Sequence, residues 1–159
     1  MAECAEHNAV GNGGCRCGKV RLTVSGSPLL TSACHCNGCQ KMSASAFALS
    51  SGYPSDALKV VCGEPVIGGL HGATRHYFCP YCMSWIFTRP DGMDKFVNVR
   101  TTMLDAPRTK PPFMEVFTSE ALLWAKTGAR HSFDTFPAME RYGLLMAEFA
   151  ACQAGVNAT

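Results

Sequence analysis

Short runs in which apolar and polar residues alternate dominate the first two thirds of the chain. Val20, Leu22 and Val24 fall on one face of an extended segment, because successive side chains of a strand point to opposite faces. Similar strand-like runs occupy residues 47–49, 58–62, 74–78, 85–88, 96–100 and 113–117. The pattern predicts a domain built mainly from β-strands.

Turn-forming residues separate these runs, and one helical pattern follows them. Gly, Pro and Ser are concentrated at residues 25–28, 51–54, 63–65 and 89–92, a spacing typical of connections in an antiparallel β domain. Near the C-terminus Asp134 or Thr135 can cap a helix and Pro137 suits its first turn. Four apolar residues then recur at helical spacing: Met139, Tyr142, Met146 and Phe149. We therefore expect a C-terminal helix packed on the β-strands.

A chain of 159 residues has the size of one ordinary domain. No repeat, low-complexity tract or linker marks an internal boundary. We predict a flexible N-terminus over residues 1–12, a β domain over 13–137, and a helix with its tail over 138–159 that packs on the same domain.

Charge and hydropathy exclude two classes of partner. The net charge is +2 with scattered Lys and Arg, so the basic surface that nucleic acid requires is not expected. The sequence has no run of the roughly 20 apolar residues that span a bilayer, and Met1–Gly14 lacks the pattern of a signal peptide. We expect a cytoplasmic protein, in which closely spaced cysteines more often bind metal than form disulfides.

Seven of the ten cysteines lie in three tight groups. Cys79-Pro80-Tyr81-Cys82 has the spacing of a zinc knuckle, which directs two sulfurs at one ion. A structural zinc needs four ligands, and Cys15 and Cys17 from a second turn complete the set. We expect this closed site to stabilise the fold by on the order of 10 kcal/mol, so that removing its metal unfolds the domain.

Cys34, Cys36 and Cys39 form the third group, on a single stretch of six residues. Three protein ligands leave the fourth position of zinc open, which is the mark of a catalytic site. A site of three thiolates is electron-rich and suits a soft fourth ligand such as a substrate thiol. A thiol bound to zinc loses its proton, which points to thiol addition to a carbonyl compound.

Other interpretations of the cysteines stay open at this point. The fourth ligand of the second group can come from His35, Cys62 or a neighbouring chain, which would make that zinc structural. Iron or copper(I) also suits thiolates, and the groups can instead be reduced loops or disulfides. Cys62 ends a strand-like run and is expected to be a small core residue, while Cys4 and Cys152 have no predicted role.

The chain resembles the glutathione-dependent formaldehyde-activating family, which includes the centromere protein V type of domain, from about Gly13 to Pro137. The resemblance is carried by Gly14–Val20, Cys34–Lys41, Phe78–Cys82, Leu104-Asp105 and Trp124. The order and spacing of these motifs agree with the family together. Three positions depart from it: Gln40 stands where Arg is common, and Ala44 and Met83 stand where Gly is usual.

The resemblance implies a mainly β, Mss4-like zinc-binding fold with two zinc ions. Cys15, Cys17, Cys79 and Cys82 would hold a structural zinc, and Cys34, Cys36 and Cys39 a catalytic one. The implied reaction joins glutathione to formaldehyde to give S-hydroxymethylglutathione, formally a carbon–sulfur lyase activity. The alternative is a non-catalytic, zinc-stabilised module for protein contacts or chaperone-like function. Close after the loop, Phe47 and Tyr53 are candidates to line a substrate pocket.

Overall fold

The computed structural model describes residues 11–68, 72–105 and 111–156. These residues belong to two compact units. The first unit is formed by Met1–Pro28 with Ser51–Thr109, and the second by Leu29–Ser50 with Lys110–Thr159. The predicted divisions after residues 12 and 137 stay predictions.

Short strands make up most of the regular structure in these ranges. In chain order the elements are β1 (Gly11–Gly14), β2 (Arg21–Val24), β3 (Leu30–Cys34), α1 (Asn37–Ser43), β4 (Ala48–Pro54), β5 (Leu58–Cys62), β6 (Val66–Ile67), β7 (Thr74–Phe78), β8 (Trp85–Pro90), β9 (Phe96–Arg100), β10 (Met114–Val116), β11 (His131–Phe133) and α2 (Arg141–Val156). Short 3₁₀ helices occupy Ser55–Ala57, Thr101–Met103 and Thr118–Glu120. The predicted mainly β fold with a C-terminal helix is confirmed.

The first unit contains antiparallel strands around an aliphatic core. Strands β1, β2 and β5 pair in the order β1-β2-β5, and four others follow the order β9-β8-β7-β6. Leu22 and Val24 of β2, and Val20 just before it, are each 1% exposed, so the predicted apolar face is buried. Thr23 on the other face is 6% exposed, so β2 is covered on both sides. Burial of each of the three aliphatic side chains contributes about 1.5–3 kcal/mol, so this core stabilises the hairpin turns that carry four of the cysteines.

One strand of the second unit does not follow the antiparallel arrangement that the sequence predicted. Strand β10 pairs parallel with β3 on one side and with β11 on the other. The chain returns to β3 in the same direction about 80 residues later, which only a long crossover connection allows. Leu30, Phe113, Met114 and Val116 form a core with Leu145 of α2, so helix packing buries one face of these strands.

The segment Ser51–Pro54, predicted as a turn, is part of β4. Ser50 and Ser51 are buried, and the hydroxyl of Ser51 lies 2.9 Å from that of Thr101. A Cβ at Gly52 would meet the ring of Phe96 at 2.7 Å. The glycine therefore allows the Phe96 ring to pack against the strand, and the chain does not reverse direction there. Tertiary contacts override the turn-like composition here.

The C-terminal helix begins later than predicted, at Arg141. Asp134 does not cap it, because its carbonyl and carboxylate accept hydrogen bonds from Ser119 and Thr118. Met139 is 71% exposed, whereas Leu145 is 3% exposed and lies in the core. Tyr142 and Phe149 do pack on the core, so the helical stripe is confirmed for them. No helix in the described ranges is both long and apolar enough to span a membrane.

Candidate metal centres

Two turns of the first unit bring together Cys15, Cys17, Cys79 and Cys82. The first pair lies between β1 and β2, and the second lies in the hairpin turn between β7 and β8. Their four sulfurs all lie within 4.8 Å of one another. The Sγ of Cys17 is 3.4 Å from that of Cys15 and 3.8 Å from that of Cys79. A tetrahedral zinc with Zn–S bonds of about 2.3 Å separates its sulfurs by about 3.8 Å, so this donor set fits that ion.

Backbone hydrogen bonds tighten the knuckle that carries Cys79 and Cys82. The N–H of Cys79 donates to the carbonyl of Ser84 at 3.0 Å, and the N–H of Met83 donates to the carbonyl of Cys79 at 3.0 Å. Met83 adopts the left-handed conformation, with φ of 56°. Glycine adopts this conformation freely, but other residues do so at a cost. The turn therefore keeps a glycine-type geometry with a methionine in it.

The thiols of this first cluster have unequal acidities. A hydrogen bond with the hydroxyl of Ser84, 3.2 Å away, lowers the pKa of Cys82 to about 5. The backbone N–H of Lys19 would lower the pKa of Cys17, but desolvation and the three neighbouring thiols raise it to about 11. Four adjacent thiols therefore do not all ionise by themselves, and a divalent cation would offset the charge of four thiolates.

The second unit brings together Cys34, Cys36 and Cys39. Cys34 ends β3, Cys36 is the N-cap residue of α1, and Cys39 lies in the first turn of that helix. The N–H of Cys39 donates to the sulfur of Cys36 at 3.4 Å. All three side chains are half-buried, and their sulfurs lie within 4.8 Å of one another. Among the described residues, no other Cys, His, Asp or Glu joins this group.

Hydrogen bonding, burial and neighbouring charge all oppose ionisation of Cys36 and Cys39 in this second cluster. A hydrogen bond that the Cys39 thiol donates to Cys34, followed by desolvation and the charges of Cys34 and Cys36, raises the pKa of Cys39 far above its ordinary value. Burial raises the pKa of Cys36, and the charge of Cys34 adds to that effect. Three thiolates here require a compensating cation, and the soft sulfur donors suit zinc.

His35 does not join this group of sulfurs. It is 0% exposed, and its Nε2 lies 3.1 Å from the Oε2 of Glu115. Cys62, the other predicted alternative, is half-buried and disulfide-bonded instead of being a core thiol. Neither residue therefore serves as a fourth ligand of this cluster.

An open cavity of about 730 Å³ lies beside α1 in the second unit. Its lining consists of Asn37, Gln40, Lys41, Ala44, Ser45, Ala46, Phe47 and Trp124. Asn37, Lys41 and Ala44 recur at helical spacing, and Cys39 falls on the opposite side of the same helix. The cavity and the sulfur cluster therefore lie on different sides of α1. Phe47 lines this cavity as a candidate pocket residue, whereas Tyr53 is buried in the core of the first unit.

The remaining cysteines and histidines lie outside both clusters. Cys152 is on α2, and its sulfur lies 3.4 Å from the guanidinium of Arg130. His76 pairs with the hydroxyl of Thr88, and His131 with the carboxylate of Glu148. Cys4 and His71 lie outside the described residues.

Residues that support the clusters were not singled out from the sequence. Ser84 follows Cys82 by two positions, and its hydroxyl lies 3.2 Å from the Cys82 sulfur. A hydroxyl so close in sequence to the knuckle could have been predicted to form a hydrogen bond with a cysteine sulfur. Glu115 and Glu120 contact the Cys34–Cys39 loop from 80 or more positions away. Nothing in their own local sequence indicates that contact.

The fold and the two clusters define a β-rich protein with two sets of cysteines that can hold metal ions. The chain belongs to the glutathione-dependent formaldehyde-activating enzyme family, whose model matches residues 10–120. This match covers more than half of the chain and confirms the family predicted from the motifs.

The search of solved structures gives support for the fold. A Rhodobacter sphaeroides protein, determined by crystallography as a structural-genomics target, is similar with a TM-score of 0.50 and 20% identity. The similarity covers 62% of this chain and 91% of that one. At this identity it shows a shared fold alone. No curated protein matches the chain at a significant level.

Proposed function

We propose that this protein is a zinc-dependent, thiol-activating enzyme that adds glutathione, or a similar thiol, to formaldehyde or another small electrophile. The activity is formally that of a carbon–sulfur lyase. In this proposal Cys34, Cys36 and Cys39 hold the catalytic zinc, and Cys15, Cys17, Cys79 and Cys82 hold a structural one. Membership of the family supports the reaction class.

The convergence of three sulfurs without a fourth protein ligand is the observation that supports this function most directly. The group of Cys34, Cys36 and Cys39 contains no other Cys, His, Asp or Glu of the described chain. A four-coordinate ion held there keeps one position for a substrate atom. The first cluster supplies all four ligands itself, so the two clusters suit different tasks.

Zinc bound at this position would act as a Lewis acid that accepts a substrate thiol and lowers the pKa of that thiol. The chain's own residues fix where this happens. The N–H of Cys39 holds the sulfur of Cys36 at 3.4 Å, and half-burial of the three cysteines limits access of water. A fixed site with reduced access of water strengthens the electrostatic stabilisation of a thiolate.

The overall addition is balanced without any oxidant or reductant. The sulfur of the thiol forms a bond to the carbonyl carbon of formaldehyde, and the C=O π electron pair moves to oxygen. The proton lost by the thiol is transferred to that oxygen, and the product is a hemithioacetal, the S-hydroxymethyl adduct of the thiol. The reverse reaction breaks the same carbon–sulfur bond, as the lyase class requires.

Exchange NMR of ¹³C-labelled formaldehyde with glutathione tests this function. We expect zinc-loaded protein to accelerate formation of the hydroxymethyl adduct, and Cys36→Ala to lose both the acceleration and one metal per chain. Cys152→Ala is the matched control, since Cys152 is a half-buried thiol on α2 outside both clusters. Exchange that is the same with and without wild-type protein would refute the proposed reaction.

An exposed apolar segment favours a second candidate function, a protein-interaction module. Leu122, Leu123 and Trp124 are 40%, 95% and 75% exposed, and consecutive exposed apolar residues often mark contact surfaces. A stoichiometric partner complex that Leu123→Ser abolishes, together with no acceleration of thiol exchange, would favour this module over the enzyme.

A further inference from the structure

Two carboxylates contact the Cys34–Cys39 loop through residues other than its cysteines. The first belongs to Glu115 of β10, whose Oε2 lies 3.1 Å from the Nε2 of the fully buried His35. A carboxylate only accepts hydrogen bonds, so Nε2 carries the proton. The ring of His35 is thus held in one orientation by a charge-assisted hydrogen bond.

The carboxylate of Glu115 is itself held in place. The hydroxyls of Thr127 and Ser132 each donate to it at 2.6 Å. Although burial alone would raise the pKa of Glu115, the bonds from Ser132, Thr127 and His35 lower it. The group is therefore an ionised acceptor with three fixed partners, which makes it a rigid anchor for the His35 ring.

The position of His35 between two ligands gives this anchor its significance. Cys34 ends β3, and the backbone N–H of His35 donates to the carbonyl of Val116 at 3.0 Å, which continues the pairing with β10 past Cys34. Successive side chains of an extended segment point to opposite sides. Holding the ring of His35 inward therefore turns the sulfurs of Cys34 and Cys36 to the other side, where Cys39 meets them.

The second carboxylate acts on the backbone of the loop. The Oε2 of Glu120 accepts the N–H of Asn37 at 2.7 Å, at the first residue of α1. The side-chain amide of Gln40 donates to the carbonyls of Glu120 and His35, at 2.9 and 2.5 Å. These bonds fix the start of the helix that carries Cys39. The side-chain amide of Gln40 is engaged in these two bonds. Gln40 occupies the position where Arg is common in the family.

We propose that Glu115 and Glu120 are positioning residues that set the geometry of the three sulfurs, Glu115 through the ring of His35 and Glu120 through the backbone N–H of Asn37. This inference rests on the proposed metal binding by Cys34, Cys36 and Cys39. Groups that hold metal ligands from outside change metal affinity by about 10–100-fold when they are altered. An effect of that size on the three-cysteine cluster alone is therefore expected.

The test is the zinc affinity of each cluster in Glu115→Gln, measured by competition with a chromophoric chelator. The variant keeps the size of the side chain and removes its charge. We expect affinity at the three-cysteine cluster to fall about 10–100-fold and affinity at the four-cysteine cluster to stay unchanged. With cobalt(II) in place of zinc, the visible d–d bands of the second cluster should shift, because the ligand geometry changes.

Glu148→Gln is the matched control. It breaks another His–Glu pair of the second unit, in which the Nε2 of His131 lies 3.0 Å from Glu148, on β11 and α2. It should leave the affinities and cobalt spectra of both clusters unchanged. An equal effect of Glu115→Gln and Glu148→Gln would mean that general loosening of the unit is responsible, and would overturn the inference.

Glu120→Gln keeps the test decisive if Glu115→Gln fails to fold, which loss of helical circular dichroism from α2 of the same unit would reveal. Glu120 is exposed, and its substitution should weaken the second cluster in the same direction. Unchanged affinity in a folded Glu115→Gln, or in Glu120→Gln where Glu115→Gln does not fold, overturns the inference while leaving the proposed reaction standing. A wild-type chain that binds a single zinc overturns both.

Discussion

Cys17 and Cys79 of the first cluster lie 62 positions apart in sequence, whereas the three cysteines of the second cluster lie on one stretch of six residues. The first cluster joins two hairpin turns, and each turn is closed by its own backbone hydrogen bonds. The loop of the second cluster is instead held by hydrogen bonds with the carboxylates of Glu115 and Glu120. Thr127 and Ser132 in turn donate hydrogen bonds to Glu115.

This difference separates what a metal would contribute at each place. An ion shared by two distant turns cross-links the chain, so its binding free energy adds to the stability of the fold. An ion held by one short loop cross-links little, and the surrounding structure must already position the ligands. The four-cysteine cluster is therefore suited to stability, and the three-cysteine cluster to chemistry.

The largest expected effect comes from breaking each cluster in turn. Cys79→Ala removes a fully buried ligand, and the loss of about 10 kcal/mol of metal-linked stability is comparable to the whole stability of a domain. Cys39→Ala should remove one metal and leave the thermal transition nearly unchanged. Circular dichroism melting combined with zinc analysis checks both variants. Equal melting temperatures for Cys79→Ala and Cys39→Ala would remove the distinction between a structural and a catalytic cluster.

A smaller effect is expected from pH. Raised pKa values at Cys36 and Cys39 mean that protons return to these thiols at a relatively high pH. The first cluster is mixed, because the pKa of Cys17 is raised to about 11. Against the effect of burial, the backbone N–H of Val20 lowers the pKa of Cys15, and the hydroxyl of Ser84 lowers that of Cys82 to about 5. As the pH falls from about 8, the three-cysteine cluster should therefore release zinc first, because protons compete with the metal for thiolates.

A chromophoric zinc indicator follows the release, and we expect two phases as the pH is lowered. Cys36→Ala, which lacks a ligand of the second cluster, shows which phase belongs to that cluster. That variant should retain only the phase at lower pH. Release of both ions in one step at the same pH would show that the different thiol acidities do not govern metal retention.

The smallest expected effect concerns the residue that closes each loop. Met83 follows the knuckle with φ of 56°, and Ala44 ends α1 with φ of 48°. A side chain in the left-handed region costs about 1–2 kcal/mol, whereas glycine there costs about 0.4–1 kcal/mol through the unfolded chain. Met83→Gly and Ala44→Gly should each stabilise the protein by up to about 1 kcal/mol in denaturant titrations.

Ala150→Gly, at an exposed position within α2, is the control for these two variants. It should destabilise the protein by about 1 kcal/mol, because the backbone there is helical. If glycine at position 83 or 44 destabilises the protein as much as it does at position 150, the positive φ angle is not a source of strain.

The features of this protein that could be predicted from its sequence are those with a local signal. The spacing within Cys15–Cys17, Cys34–Cys39 and Cys79–Cys82 marks groups that the fold brings together, because ligands of one ion must be close and short turns keep them so. Alternation at Val20, Leu22 and Val24 likewise predicted a buried strand face. Both signals lie within a few residues.

The features that could not be predicted from the sequence are those that depend on contacts between distant residues. The composition of Ser51–Pro54 is typical of a turn, but packing against Phe96 and Thr101 makes it a strand. The role of Glu115 was missed because its partner His35 lies 80 positions away. A carboxylate in a short strand gives no sign of which side chain it will meet across a parallel pairing.

The sequence distance between His35 and Glu115 also has a consequence for synthesis of the protein. Ribosomes add about 5–20 residues per second, so the anchor for the Cys34–Cys39 loop emerges roughly 4–16 s after the loop itself. The ligands of the first cluster are complete once Cys82 has been made, before Glu115 exists. A nascent chain can therefore load the first ion while the second set of thiols still has no fixed geometry.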